Sequence, residues 1–177
     1  MSIIAPFFDV PSLKKEGKLN YHSLLFYAEK PKAGVIEIHG GTLFDYVFVF
    51  DEKLKGIQRM NFIIQQYLEG LLNLMEENDD KQTTIIRGTS YILNARTAER
   101  LGFRIVKTDL LQRLILTYNY FNILITNSIA KGKLSFPKLR ETKTIETELI
   151  NLIERKDYIK NLNEKLKVRL TNHIKTQ

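Results

Sequence analysis

Apolar side chains recur at helical spacing between residues 57 and 75, and this row is the clearest periodic pattern in the chain. The spacing places them on one face and predicts a long amphipathic helix. The apolar positions are Met60, Ile63, Ile64, Tyr67, Leu68, Leu71, Leu72 and Met75.

The segment before this helix has a different pattern. Branched and aromatic residues fill positions 35–39 and 43–50 on either side of Gly40 and Gly41. Two such runs around a glycine turn predict a β-hairpin, with the second strand covered on both faces. The apolar run at 24–27 predicts a short helix that ends in a turn before residue 35.

The segment after the long helix alternates between strand and helix signals. Residues 83–86 predict a strand, residues 94–101 a short helix capped by Asn94 and stopped at Gly102, and residues 103–106 a further strand. A further helix is expected from Leu110, capped by Thr108 or Asp109. It should end in the region 132–137.

The C-terminal region carries one more apolar row, from Ile145 through Leu149 and Leu152 to Leu170, flanked by Glu and Lys. The row is interrupted at Lys156, which favours a helix pair or a dimer-forming helix over a long coiled coil. Together the patterns predict an α/β (α+β) fold, with a central mixed β-sheet flanked by helices and a helical C-terminal extension. We expect an α/β domain at 1–130 and a basic helical segment at 131–177 that packs on the domain or mediates dimerisation.

Composition adds limits to this interpretation. The 177 residues include no cysteine, which excludes disulfides and thiolate metal sites and fits a cytoplasmic protein. The three histidines are widely spaced, so we expect no metal site. The net charge of +7 falls mainly on residues 131–177, with 12 basic against 6 acidic side chains. Because acids alternate with the bases, we expect a solvated helix face, with neither nucleic acid nor a membrane as the partner.

Residues 35–108 resemble the central part of the GCN5-related N-acetyltransferase (GNAT) superfamily. The family's glycine turn between a strand and a helix is matched by Lys53-Leu54-Lys55-Gly56-Ile57-Gln58, where Gln58 stands in place of a small residue. Its downstream Asn, short helix and Leu-Gly-Phe ending are matched by Asn94 and by Leu101-Gly102-Phe103.

The resemblance implies a protein that binds acetyl-CoA or another acyl-CoA and is a possible N-acyltransferase for an unknown amine. Unpaired amides at a helix N-terminus favour a phosphate, so the cofactor residues would be Lys53, Gly56, Ile57, Gln58 and Asn94. Many members carry a tyrosine as proton donor four residues before the glycine of Leu-Gly-Phe. This chain has Ala98 there.

Three side chains are candidates for the catalytic steps. Glu37 and His39 share one strand face by the period-two rule, and either could take the proton from the amine. Tyr91 lies near Ala98 and has the phenol needed to protonate the departing thiolate. The alternative that stays open is a noncatalytic α/β protein-interaction domain. A homodimer is possible under either hypothesis.

Overall fold

The computed structural model describes residues 17–50, 54–78, 80, 83–90 and 93–175. Within these ranges one six-stranded sheet has the order β1-β2-β3-β4-β6-β5. The strands β1 to β3 form an antiparallel meander, β3 and β4 are parallel, and β6 runs antiparallel between β4 and β5. The bounds are β1 Leu19–Ser23, β2 Phe26–Glu29, β3 Val35–Gly40, β4 Ile85–Ser90, β5 Arg104–Val106 and β6 Lys143–Glu148.

Seven α-helices are described along the chain, together with a 3-10 turn at Leu139–Glu141. The helices α1 and α2 lie in the connection between the parallel strands β3 and β4, as a parallel pair requires. The helix bounds are α1 Leu43–Val49, α2 Gly56–Glu77, α3 Ala95–Arg100, α4 Leu110–Tyr118, α5 Tyr120–Lys131, α6 Leu149–Glu154 and α7 Lys156–Lys175.

The main core lies where α2 and α7 pack together against one face of the sheet. Leu68 and Leu71 of α2 meet Ile36 and Ile86 of the sheet, and Ile159 of α7 is also fully buried. Each such side chain contributes about 1.5–3 kcal/mol by leaving water. The apolar row of the C-terminal region is therefore used within the chain's own core.

Several predicted elements are confirmed. The mixed α/β fold and the long helix α2 are present. Asn94 caps α3 by accepting a hydrogen bond from the Thr97 amide at 2.9 Å, and Asp109 caps α4. Gly102 ends α3 at φ +95°, a left-handed conformation that favours glycine. The C-terminal helix pair α6 and α7 separates at Arg155, next to the predicted interruption.

The predicted hairpin at 35–50 is only half correct. Its first strand is β3, but the second run forms the helix α1. The Thr42 hydroxyl accepts from the Asp45 amide at 3.3 Å, and Asp45 Oδ2 accepts from the Thr42 amide at 2.6 Å. This reciprocal cap starts a helix in spite of the β-prone residues that follow it.

Two other expectations are also wrong in part. Residues 26–29 form β2, where a short helix was expected. The segment 131–177, expected to be helical, contributes β6, and Ile145 lies on this strand. Strand β6 was missed because its alternating Lys, Glu and Thr residues resemble an exposed helix face, although the strand is paired on both sides within the sheet.

Candidate functional site

The parallel strands β3 and β4 stop pairing with each other before either strand ends. Their ladder runs from Val35–Ile85 to Ile38–Gly88. Beyond it, β3 continues to Gly40 beside β2, while β4 continues to Ser90 beside β6. The sheet is therefore open between the carboxyl ends of its two parallel strands, the position at which ligands usually bind in such sheets.

A cavity of about 790 Å³ occupies this opening. Residues of α2, of the strands, and of α4 and α5 line it. Its volume is in the range of small-molecule and cofactor sites. Polar side chains from both sheet halves line it, among them Glu29, Glu37, His39, Arg87, Thr89, Thr144 and Glu146.

Glu37 and His39, the two candidate bases on β3, both line the cavity, as their shared strand face predicts. Burial raises the pKa of the Glu37 carboxyl, although Arg87 and His39 offset part of this effect. The Arg87 Nη1 atom lies 3.8 Å from Glu37 Oε1, which is a loose ion pair. The raised pKa makes Glu37 a stronger base than an ordinary carboxylate, which suits general-base catalysis.

His39 is held in place by two neighbours on β2. Its Nε2 atom lies 3.0 Å from Glu29 Oε1, and its ring stacks on Tyr27 with the centroids 5.1 Å apart. The contact with Glu29 orients the imidazole. His39 is thus well placed for positioning a ligand, while Glu37 is the freer of the two as a base.

Glu146 on β6 holds Arg87, a cationic residue that lines the cavity, through an ion pair. Its side chain is only 10% exposed and accepts from Arg87 Nη2 at 2.9 Å and from Arg104 Nη2 at 2.6 Å. Burial alone would raise the pKa of Glu146, but the hydrogen bonds from Arg104 and Arg87 outweigh it and hold the pKa below its usual value. Arg87 is thereby fixed between Glu146 and Glu37.

Two tyrosines line the cavity near the end of β3, on the side of the sheet that faces α2. The hydroxyls of Tyr46 and Tyr67 lie 3.2 Å apart, and both residues line the cavity. A Cβ atom at Gly40 would overlap the Tyr67 hydroxyl, so only glycine allows this approach. The sequence patterns predicted Tyr67 on the apolar face of the long helix and Tyr46 on a covered strand, and neither pattern carries a sign of the opening beside them.

The predicted cofactor turn lies elsewhere. Gln58 Oε1 accepts from the Lys55 amide at 2.8 Å, and Gly56 packs against the Lys131 carbonyl. Ile57 is exposed to solvent. The Lys55 amide and Gly56 are thus engaged within the chain, while Ile57 stays exposed, and the turn lies outside the cavity.

The predicted site residues Gly56, Ile57, Gln58 and Asn94 are not brought together with Glu37 and His39. Asn94 serves as the cap of α3, and its Oδ1 atom is already engaged by Thr97. Lys53 and Tyr91 lie outside the described residues. None of Gly56, Ile57, Gln58 and Asn94 lines the cavity.

Cationic side chains stand where the cavity meets solvent. Lys30 and Lys32, next to β2, and Lys107, after β5, line it and are exposed. Lys107 lies toward the opening, whereas Lys30 and Lys32 lie where β3 begins, and all three would suit an anionic part of a ligand.

Two further findings on the described residues concern metal binding and membrane insertion. No cluster of three or more His, Asp or Glu side chains among them is arranged to hold a metal ion. No helix among them combines the length and the apolar character needed to cross a bilayer.

No family model, curated protein or solved structure matches this chain.

Proposed function

We propose that the chain binds an acyl-coenzyme A in the cavity between β3 and β4 and transfers the acyl group to an amine. The observation that carries this proposal is the cavity beside the opening between the parallel strands, with Glu37 among the residues that line it. The GNAT-like order of Asn94, a short helix and Leu101-Gly102-Phe103 adds to it.

The chemistry needs one base and one acid. The amine nitrogen attacks the thioester carbonyl, the C–N bond forms, and the C–S bond breaks. Glu37 accepts the proton that the amine loses, because burial raises its pKa toward the working range of a base. The departing thiolate takes up a proton from a phenol, for which Tyr67 in the cavity and Tyr91 are the candidates.

The phosphates of the coenzyme would lie against exposed lysines that line the cavity. Lys107 supplies positive charge beside the opening and Lys30 and Lys32 supply it where β3 begins, and the glycine turn at Gly56 does not reach the cavity. The proposal therefore places the phosphates against side-chain cations and not against the N-terminus of α2.

Thermal unfolding with a panel of acyl-CoA thioesters tests binding. A ligand at about 100 times its Kd stabilises the native state by about 2.7 kcal/mol, which for a chain of this size raises Tm by about 5–10 °C. A panel in which no thioester raises Tm refutes the proposal.

Turnover is tested separately with Glu37→Gln. We expect this variant to keep the ligand-induced rise in Tm and to lose at least about 100-fold in acyl transfer, because a positioned base contributes that much. The matched control is Glu141→Gln, since Glu141 is an exposed carboxylate in a surface ion pair with Lys138. Equal turnover in Glu37→Gln and Glu141→Gln would remove the base from the mechanism.

A further inference from the structure

An apolar seam runs along the solvent-facing side of α4 and α5. Its members are separated by three, four, three and four residues, and each is 42–85% exposed. Exposed large apolar side chains at such regular spacing are unusual on a protein surface. The seam consists of Leu111, Leu114, Tyr118, Phe121 and Ile125.

The two helices form one hydrogen-bonded rod, although Asn119 between them departs from helical geometry at ψ 14°. Backbone hydrogen bonds continue across Asn119. The Asn119 amide donates to the Ile115 carbonyl at 2.9 Å, and the Ile123 amide donates to the Asn119 carbonyl at 3.0 Å. The opposite face of the rod is already occupied, since Ile123, Thr126 and Ala130 are buried. No residue of α4 is buried, so the seam is the face left uncovered within the described chain.

The spacing is that of a helix that pairs with another helix. Alternating intervals of three and four residues give the 3.5-residue period of a coiled-coil seam. The flanking positions Ile115, Thr117, Asn122 and Leu124 carry no charge, and Arg113 is the one charged side chain between residues 110 and 130. Charges at flanking positions normally select the partner, so nothing here opposes pairing with an identical helix despite the net charge of +7.

The exposed area also suits a dimer. With Leu110, which is 78% exposed, the seam presents on the order of 600–800 Å² of apolar surface per copy. A stable protein interface buries about 800 Å² per partner. We propose that two copies of this chain associate through α4 and α5 as a twofold-symmetric helix pair, which also holds these helices over the cavity.

Analytical ultracentrifugation of the full chain at about 1–100 µM tests the dimer. This range is chosen because interfaces of this size have dissociation constants from about micromolar down to picomolar. We expect Leu114→Glu and Phe121→Glu each to weaken association at least about thirtyfold, as for residues at an interface centre. The matched control is Val168→Glu, since Val168 is 57% exposed on α7 and lies outside the seam. Circular dichroism verifies that each variant is folded.

A second measurement does not depend on destabilising variants. The chain has no cysteine, so single cysteines at seam positions can be crosslinked by mild oxidation without interference. A disulfide-linked dimer from at least one seam position, and none from Val168→Cys, supports the proposal. A wild-type chain that stays monomeric, dimers unaffected by both glutamate variants, or a monomer that floats with anionic lipid vesicles would overturn it.

Discussion

The substitution Glu146→Gln tests the ion cluster that links three strands of the sheet. The change keeps the size of the side chain and removes its charge, so Arg87 and Arg104 lose a carboxylate acceptor at 2.9 Å and 2.6 Å. A hydrogen bond to a charged group contributes about 1.5–3 kcal/mol. Arg104 is 73% exposed and adds little, whereas Arg87 is more enclosed.

We therefore expect the free energy of unfolding to fall by about 2 kcal/mol at pH 7. For a chain of this length this corresponds to a decrease in Tm of about 4–8 °C. Urea denaturation at pH 7 measures the loss directly. Glu141→Gln is the control, because its surface pair with Lys138 is worth less than about 1 kcal/mol.

The pH dependence gives the sharper check. The pKa of Glu146 is lower in the folded chain than in the unfolded chain, so the ionised carboxylate stabilises the fold. This contribution is complete above the unfolded pKa of about 4.3 and is lost as the pH falls through the folded value. The difference between wild type and Glu146→Gln should shrink across that window. A difference that is no larger than that of Glu141→Gln, or that stays constant down to about pH 3, would refute the reasoning.

Three further variants probe other features. Glu37→Gln should raise Tm modestly at pH 7, because the raised pKa means that ionised Glu37 destabilises the fold, and the gain should vanish below about pH 4, where both forms are neutral. Gly70→Ala should cost about 1–3 kcal/mol in urea denaturation, since its new methyl would overlap the Phe26 ring, whereas an unchanged midpoint would show that the ring can move. Asn94→Ala should cost about 0.5–2 kcal/mol through the lost hydrogen bond to the Thr97 amide, and Asn94→Ser should restore most of it.

Local patterns were enough to locate the elements whose signals lie within a few residues. The apolar row from Met60 to Met75 gave α2, and the side chains of Asn94 and Asp109 gave the starts of α3 and α4. Caps and helical periodicity act between residues three or four positions apart, so they can be found without knowing the fold. The shared face of Glu37 and His39 followed in the same way from the period of a strand.

The cluster and the cavity depend on contacts between distant parts of the chain. Glu146 reaches Arg104 and Arg87, which precede it by 42 and 59 residues. This pairing exists because β6 enters the sheet between β4 and β5, and no local pattern of residues 143–148 indicates that position.

The sequence by itself determined the mixed α/β class, the long helix and two candidate bases. The tertiary structure alone decided that β3 and β4 separate after Ile38 and Gly88, that Tyr67 lines the cavity, and that the turn at Gly56 lies outside it. The physical reason is the sequence distance over which each feature is determined. Helix caps and periodicity depend on residues within one helical turn, whereas a cavity depends on where strands that are distant in the chain begin and stop pairing.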